Sequence, residues 1–254
     1  MVGGLLAVNG GAGFLGGLIA GFLAGYVILG LKKLFSRLPQ SLEGLKPTLL
    51  YPLCGILIVG LIMVFVVNTP IAFLMDGLMN WLNSLSGANI VILGIILGGM
   101  MAIDMGGPLN KTAFAFGIAM AASNNFAPQA ATMIGGMVPP LGLALATTFF
   151  KNKFTDAEKD AGKTNYIMGL SFITEGAIPF AAADPIRVIV SCVVGSAIAG
   201  GLALFFGCVS KAPHGGIFVI WAIENPLMYV LSLLIGSVVT MLMVGFWKKP
   251  VAER

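Results

Sequence analysis

Residues 188–210 and 227–247 each run for more than twenty positions without an Asp, Glu, Lys or Arg, and residues 3–30 and 48–70 do the same. About 20 consecutive apolar residues are what a helix needs to cross a bilayer. The backbone groups of such a run must be satisfied within the segment, which leaves a helix or a closed barrel. The runs are continuous rather than alternating, so a barrel is excluded. Composition agrees: 58% of residues are hydrophobic and only 9% are charged, against about 25% charged in soluble domains. The fold class is an all-α polytopic membrane protein.

The net charge of +4 does not point to nucleic acid. Basic residues gather at Lys32, Lys33, Arg37 and Lys46, at Lys151, Lys153, Lys159 and Lys163, and at Lys248 and Lys249. That is the pattern of cytoplasmic loops and a cytoplasmic tail, which puts the C-terminus inside. Cys54, Cys192 and Cys208 lie in apolar runs without a CxxC pair and read as buried free thiols. No basic n-region or cleavage site opens the chain, so no signal peptide is expected.

Along the chain, GAGFLG (Gly11–Gly16) fits GxGxxG but follows no strand, and no acidic residue stands about 20 positions on. Gly13, Gly17, Gly21 and Gly25 recur every fourth residue and read as a helix-packing ridge. A second span is expected to end at Pro70. Asp76, Asn80, Asn83 and Ser84 interleave with Leu74, Leu78, Met79, Trp81 and Leu82, which predicts an amphipathic interfacial helix over 71–85. Residues 89–107 read as apolar again until Asp104, where DMGGPLNK (104–111) begins. Residues 112–150 read as apolar but broken by SNNFAP (123–128) and GGMVPP (135–140), with a path the sequence does not fix. Residues 151–165 read as a charged, solvated loop, including AGKTN, which lacks the first glycine and the strand of a Walker A loop.

SFITEGAIPFAAADPIRV (171–188) places Glu175, Asp184 and Arg187 in this apolar setting. If loop 151–163 and the tail share one side, an even number of crossings separates them, and 188–210 with 227–247 supplies two. Residues 166–185 must then enter and return, as a re-entrant hairpin turning near Glu175–Pro179. Such non-helical backbone is tolerated where it lines a cavity.

Ionisable residues at membrane depth face a cavity or a partner. The candidates are Asp104, Lys111, Glu175, Asp184, Arg187, His214 and Glu224. Glu175, beside Thr174, can accept hydrogen bonds from two adjacent sugar hydroxyls, or can bond a neighbouring helix. Asp104, Asn110 and Lys111 form a Gly-rich bend with a carboxylate, an amide and an ammonium, suited to a ligand or to an interhelical loop. Asp184–Pro185 with Arg187 reads as a capped helix start, and Glu224 as a cap of the last helix. His214 sits in a Pro/Gly turn with no second metal ligand near it. No nucleophile–base pair, metal site or cofactor motif is found.

In SFITEGAIPFAAADPIRVI, DMGGPLNKTAFAFG and APHGGIF, and over essentially its whole length, the chain resembles the fructose-type enzyme IIC of the bacterial phosphoenolpyruvate-dependent sugar phosphotransferase system. The resemblance implies a homodimeric permease of the bacterial inner membrane that binds a hexose and carries it inward by an elevator-like movement. Phosphorylation would come from a phosphocysteine on a IIB component charged by IIA. The phosphohistidine–fructose phosphotransferase activity would then have its donor residue on another chain. It also implies a sugar site of Glu175, Thr174, Asn110, Lys111, His214 and Asp104. The expected layout is scaffold helices over 1–70, an interfacial linker over 71–88 and a transport domain over 89–254, with the chain beginning inside the scaffold half. A proton-coupled sugar carrier and a non-transporting membrane fragment are the alternatives.

Overall fold

The computed structural model describes residues 2–36, 38–39, 43–85, 89–122 and 124–251. Arg37, Ser123 and residues 86–88 of the expected linker lie outside them. Among the described residues the chain is almost wholly helical. Five helical stretches are long and apolar enough to cross a membrane: Leu15–Phe35, Lys46–Leu85, Ala127–Phe149, Pro185–Phe205 and Pro226–Trp247. Large apolar side chains such as Phe65, Phe73, Leu227 and Phe246 point outward, as lipid-facing residues do. The chain forms two compact units, residues 1–81 and 82–254.

In the first unit the expected single span over 3–30 is two helices, α1 (Val2–Asn9) and α2 (Gly13–Phe35). Gly11 takes a left-handed φ of 74°, and the Ala12 N–H reaches back to the Ala7 carbonyl at 2.8 Å. This is the Schellman ending, which glycine permits and which terminates the first helix. Asn68 Nδ2 donates to the Leu6 carbonyl at 2.9 Å and holds the turn. Gly13, Gly17, Gly21 and Gly25 meet nothing within 4 Å where a Cβ would stand, so no helix of this unit packs on that ridge.

Pro70 does not end the second span. Helices α3 (Tyr51–Ile62) and α4 (Asn68–Leu85) belong to one stretch, Lys46–Leu85. A π-helical turn, Met63–Val67, joins them, and the Asn68 N–H donates to the Met63 carbonyl five residues back. Proline removes the usual four-residue bond, and the wider turn before it absorbs the mismatch. Cys54 here is half-buried rather than buried.

The second unit is built around α7 (Ala127–Phe149), enclosed along nearly its whole length. GGMVPP does not break it: Pro139 and Pro140 lie inside the helix. The two ends of α7 define two ends of the unit. At the C-terminal end, Phe150 meets Phe246 with ring centroids 5.5 Å apart, and Lys153 Nζ donates to the Phe246 carbonyl at 3.3 Å. Residue 246 belongs to α11 (Pro226–Trp247). At the N-terminal end, the Ser210 N–H donates to the Phe126 carbonyl at 3.3 Å. Ser210 lies in a two-residue strand, β1 (Val209–Ser210), paired antiparallel with β2 (Ile223–Glu224). Helix α10 (Pro185–Phe205) links the two ends.

The expected charged loop is mostly helix, α8 (Asp156–Leu170). Thr155 and Glu158 make a capping box: the Glu158 N–H donates to Thr155 Oγ1 at 3.2 Å, and the Thr155 N–H to Glu158 Oε2 at 2.8 Å. TDAE at 155–158 is the S/T-x-x-E start signal, and it recruits AGKTN into a helix. Helix α8 starts at the basic end and stops halfway along α7. The chain turns at 171–177 and returns as the short helix α9 (Ile178–Ala183). Phe180 of α9 packs edge-on to Phe154 at 6.2 Å, back at the basic end. The predicted re-entrant hairpin is present, with its turn slightly earlier than expected.

The apolar stretch after residue 89 forms the 14-residue helix α5 (Ile90–Ile103), about 21 Å at 1.5 Å per residue and too short for a core of about 30 Å. Gly94 lies against Gly200 and Gly98 against Ser196, so α5 runs antiparallel to α10, from the far end to mid-depth. It bends at 104–107 and returns as α6 (Pro108–Ala122). Two hairpins thus enter from opposite ends and meet tip to tip beside the middle of α7.

Candidate functional site

A cavity of about 100 Å3 opens where the tips meet, lined by Met101, Asn110, Lys111, Phe114, Phe172, Ile173, Thr174, Glu175 and His214. Five of the six residues expected to bind sugar are therefore together. Lys111 Nζ stands 3.2 Å from Glu175 Oε1, and their side chains are 38% and 44% exposed. This ion pair joins the two tips at the cavity mouth. The bend passes tightly under it: a Cβ on Gly106, whose φ is +113°, would lie 2.7 Å from Glu175 Oε1. Asn110 is buried and donates from Nδ2 to the Met101 carbonyl at 2.7 Å.

Asp104 is placed differently. It does not line the cavity. Its carboxylate accepts from the Leu109 N–H at 2.6 Å and the Asn110 N–H at 3.0 Å. These are among the orphan donors at the start of α6, so the carboxylate caps that helix. Thr174 borders the cavity, but its hydroxyl donates to the Gly136 carbonyl of α7 at 2.9 Å.

The His214 loop enters from the far end and closes over the tips. Gln129 Nε2 donates to the Pro213 carbonyl at 2.6 Å. His214 packs on Phe172 with centroids 4.7 Å apart and edge-on to Phe114 at 6.2 Å. It lies outside the candidate spans. Burial lowers its pKa, the Lys111 charge acts in the same direction, and Glu175 opposes. The ring is neutral at pH 7, with one nitrogen donating and one accepting.

Phe172, Phe114 and Gln129 were not legible as site residues. Phe172 occupies a left-handed φ of 63°, a seat usually given to glycine and costly for a bulky residue. The Ile173 N–H closes the α8 end onto the Met168 carbonyl at 2.9 Å. The turn aims the Phe172 ring into the cavity. Phe114 and Gln129 carry no local signal, since their roles come from distant segments.

The remaining charged candidates lie away from the cavity. Arg187 pairs with Asp184 at 3.0 Å. Asp184 does precede α10, as expected, but its side chain makes no capping bond. Glu224 pairs with Lys211 at 2.8 Å across the small ladder. The residue before α11 is Asn225, in a left-handed conformation, so Glu224 is not the cap. Among the described residues no group of three or more His, Cys, Asp or Glu could hold a metal.

The family model described as "Phosphotransferase system, EIIC" matches residues 3–195. The chain is 63% identical over 254 residues to the "PTS system fructose-specific EIIABC component" of Bacillus subtilis (strain 168), covering all of this chain and 40% of that protein. It is 63% identical, over all of its own length and 83% of the other, to the "Fructose permease IIC component" of Bacillus amyloliquefaciens. To the "PTS system fructose-specific EIIC component" of Haloferax volcanii it is 44% identical, over 93% of this chain and 63% of that one. No solved structure matches. The opposed hairpins, the polar cavity at their tips and these likenesses lead to one assignment: the chain belongs to the EIIC family of the phosphotransferase system.

Proposed function

We propose that this chain binds fructose or a fructose-like hexose in the cavity between the hairpin tips and translocates it inward with coupled phosphorylation. The observation that carries the reading is the convergence of Asn110, Lys111, Glu175 and His214, from three separate segments, on one cavity. Charged and amide groups offer donors and acceptors for hydroxyls, and Phe172 and Phe114 offer apolar faces for the sugar ring. Relatives named as fructose-specific components support the substrate.

The phosphoryl group would come from a phosphocysteine of a IIB component, itself charged by IIA. A sugar hydroxyl oxygen attacks phosphorus as its proton passes to the Glu175 carboxylate, the P–S bond breaks, and the cysteine leaves as thiolate. Such transfers depend on positioning, and Glu175 orients the acceptor hydroxyl by accepting its hydrogen bond. At about 100 Å3 the cavity is smaller than the ~300–1,000 Å3 usual for small-ligand sites. Sugar entry therefore displaces Lys111 from Glu175. Lys151, Lys153, Lys248 and Lys249 lie toward one end of the second unit, which supports a cytoplasmic C-terminus in the inner membrane. A homodimer, with residues 1–81 as part of the scaffold, completes the reading.

The test is conversion of labelled fructose in inverted vesicles supplied with phosphoenolpyruvate and cytosolic phosphocarriers. Wild type should form sugar phosphate regardless of a protonophore, and Glu175→Gln should not. Free-sugar uptake that collapses with the protonophore would replace this reading with a proton-coupled carrier.

A further inference from the structure

An α-helical N–H bonds the carbonyl four residues back, and proline has none. Pro139 and Pro140 therefore deprive the Gly135 and Gly136 carbonyls of their regular donors, inside an enclosed helix. Both carbonyls are met from outside. Ser196 Oγ of α10 donates to Gly135 O at 2.8 Å, and Thr174 Oγ1 of the hairpin tip donates to Gly136 O at 2.9 Å. Both hydroxyl residues are buried, at 0% and 3% exposure.

The two glycines make room for this. A Cβ on Gly135 would lie 2.6 Å from Gly98 Cα, and one on Gly136 would lie 2.7 Å from Thr174 Oγ1 and 2.3 Å from the Phe172 ring. The glycines bring neighbours close, and the prolines leave acceptors for them to bind.

We propose that GGMVPP is a docking socket and that Thr174 is a positioning residue: its hydroxyl, tethered to the carbonyl that Pro140 frees, sets where Glu175 stands at the sugar. The inference rests on the proposed sugar-binding role of Glu175 and deepens it. Thr174 is adjacent to Glu175 in sequence, and its tether point is on the most enclosed helix of the unit. The hydroxyl proton is committed to α7, so Thr174 acts through its neighbour rather than by donating to the sugar.

The test uses fructose affinity and Tm of the full chain in detergent. Thr174→Val should weaken fructose binding about tenfold, the effect of one lost hydrogen bond, while Thr174→Ser stays within about twofold. In the Glu175→Gln background, Thr174→Val should weaken binding little further. An equal loss in both backgrounds would make Thr174 an independent sugar ligand and overturn the positioning role. Tm tests the socket separately. Thr174→Val should lower it by about 2–4 °C, and by much less in Pro140→Ala, where residue 140 supplies its own N–H to Gly136. An undiminished loss there would overturn the socket. If Glu175→Gln leaves fructose affinity unchanged, the proposed role of Glu175 fails, and the positioning role with it, while the Tm cycle still decides the socket.

Discussion

Lys248, expected in a cytoplasmic tail, is fully buried and paired with Glu158, whose side chain is 11% exposed. The ammonium also stands 4.3 Å from the centroid of the Phe154 ring. The pair ties the end of α11 to the first turn of α8, the arm that carries the Glu175 tip. Glu158→Gln can keep its capping bond to the Thr155 N–H but takes away the carboxylate that faces the buried Lys248 ammonium. Removing one partner of a buried pair costs about 3–5 kcal/mol. The retained cap and the ring contact place this case near 3, or about 6–12 °C in Tm for a unit of this size. Glu158→Gln with Lys248→Met should recover most of the loss, because the buried ammonium is removed together with the carboxylate it faces. Burial raises the Glu158 pKa, but the hydrogen bond and charge of Lys248 and the Thr155 backbone outweigh it, so the folded value lies below the ordinary 4.5. The stabilisation is therefore complete above 4.5 and is lost as pH falls through the folded value. Thermal unfolding of Glu158→Gln, Lys248→Met and the double variant in detergent, at neutral and acid pH, reads both effects. A Glu158→Gln loss under about 0.5 kcal/mol, the scale of an exposed pair, would refute the argument. So would additivity in the double variant.

Two further outcomes follow from the cavity. Gly106→Ala should abolish fructose binding with a folded protein remaining, since its Cβ would meet the Glu175 carboxylate and φ is +113°; retained affinity would show that the bend can move freely. Asp104→Asn keeps an acceptor for the α6 amides and should hold fructose affinity within about twofold, whereas Asp104→Ala should cost about 1 kcal/mol of stability. Loss of binding in Asp104→Asn would return Asp104 to the sugar site.

The sequence by itself determined the solvent and the class of fold. Long uncharged runs demand helices in a bilayer, and the parity of crossings between two basic segments demands a re-entrant stretch at 166–185. Acids and amides in oil-like surroundings, Glu175 and Asn110 among them, declared themselves because their burial needs a reason. TDAE at 155–158, inside the stretch expected to be a loop, carries a local helix-start signal as well, because its capping bond joins neighbours. What only the tertiary structure decided are matters of partners far apart in the chain. Pro70 and Pro139–Pro140 look like breaks until a π turn absorbs the first and Thr174 and Ser196, 38 and 61 residues away, satisfy carbonyls left by the second. Gln129 holds the His214 loop across 84 residues, and Lys248 reaches Glu158 across 90. A hydrogen bond to a distant group is set by packing, which a local pattern does not encode, and it decides whether a proline ends a helix or opens a socket in it.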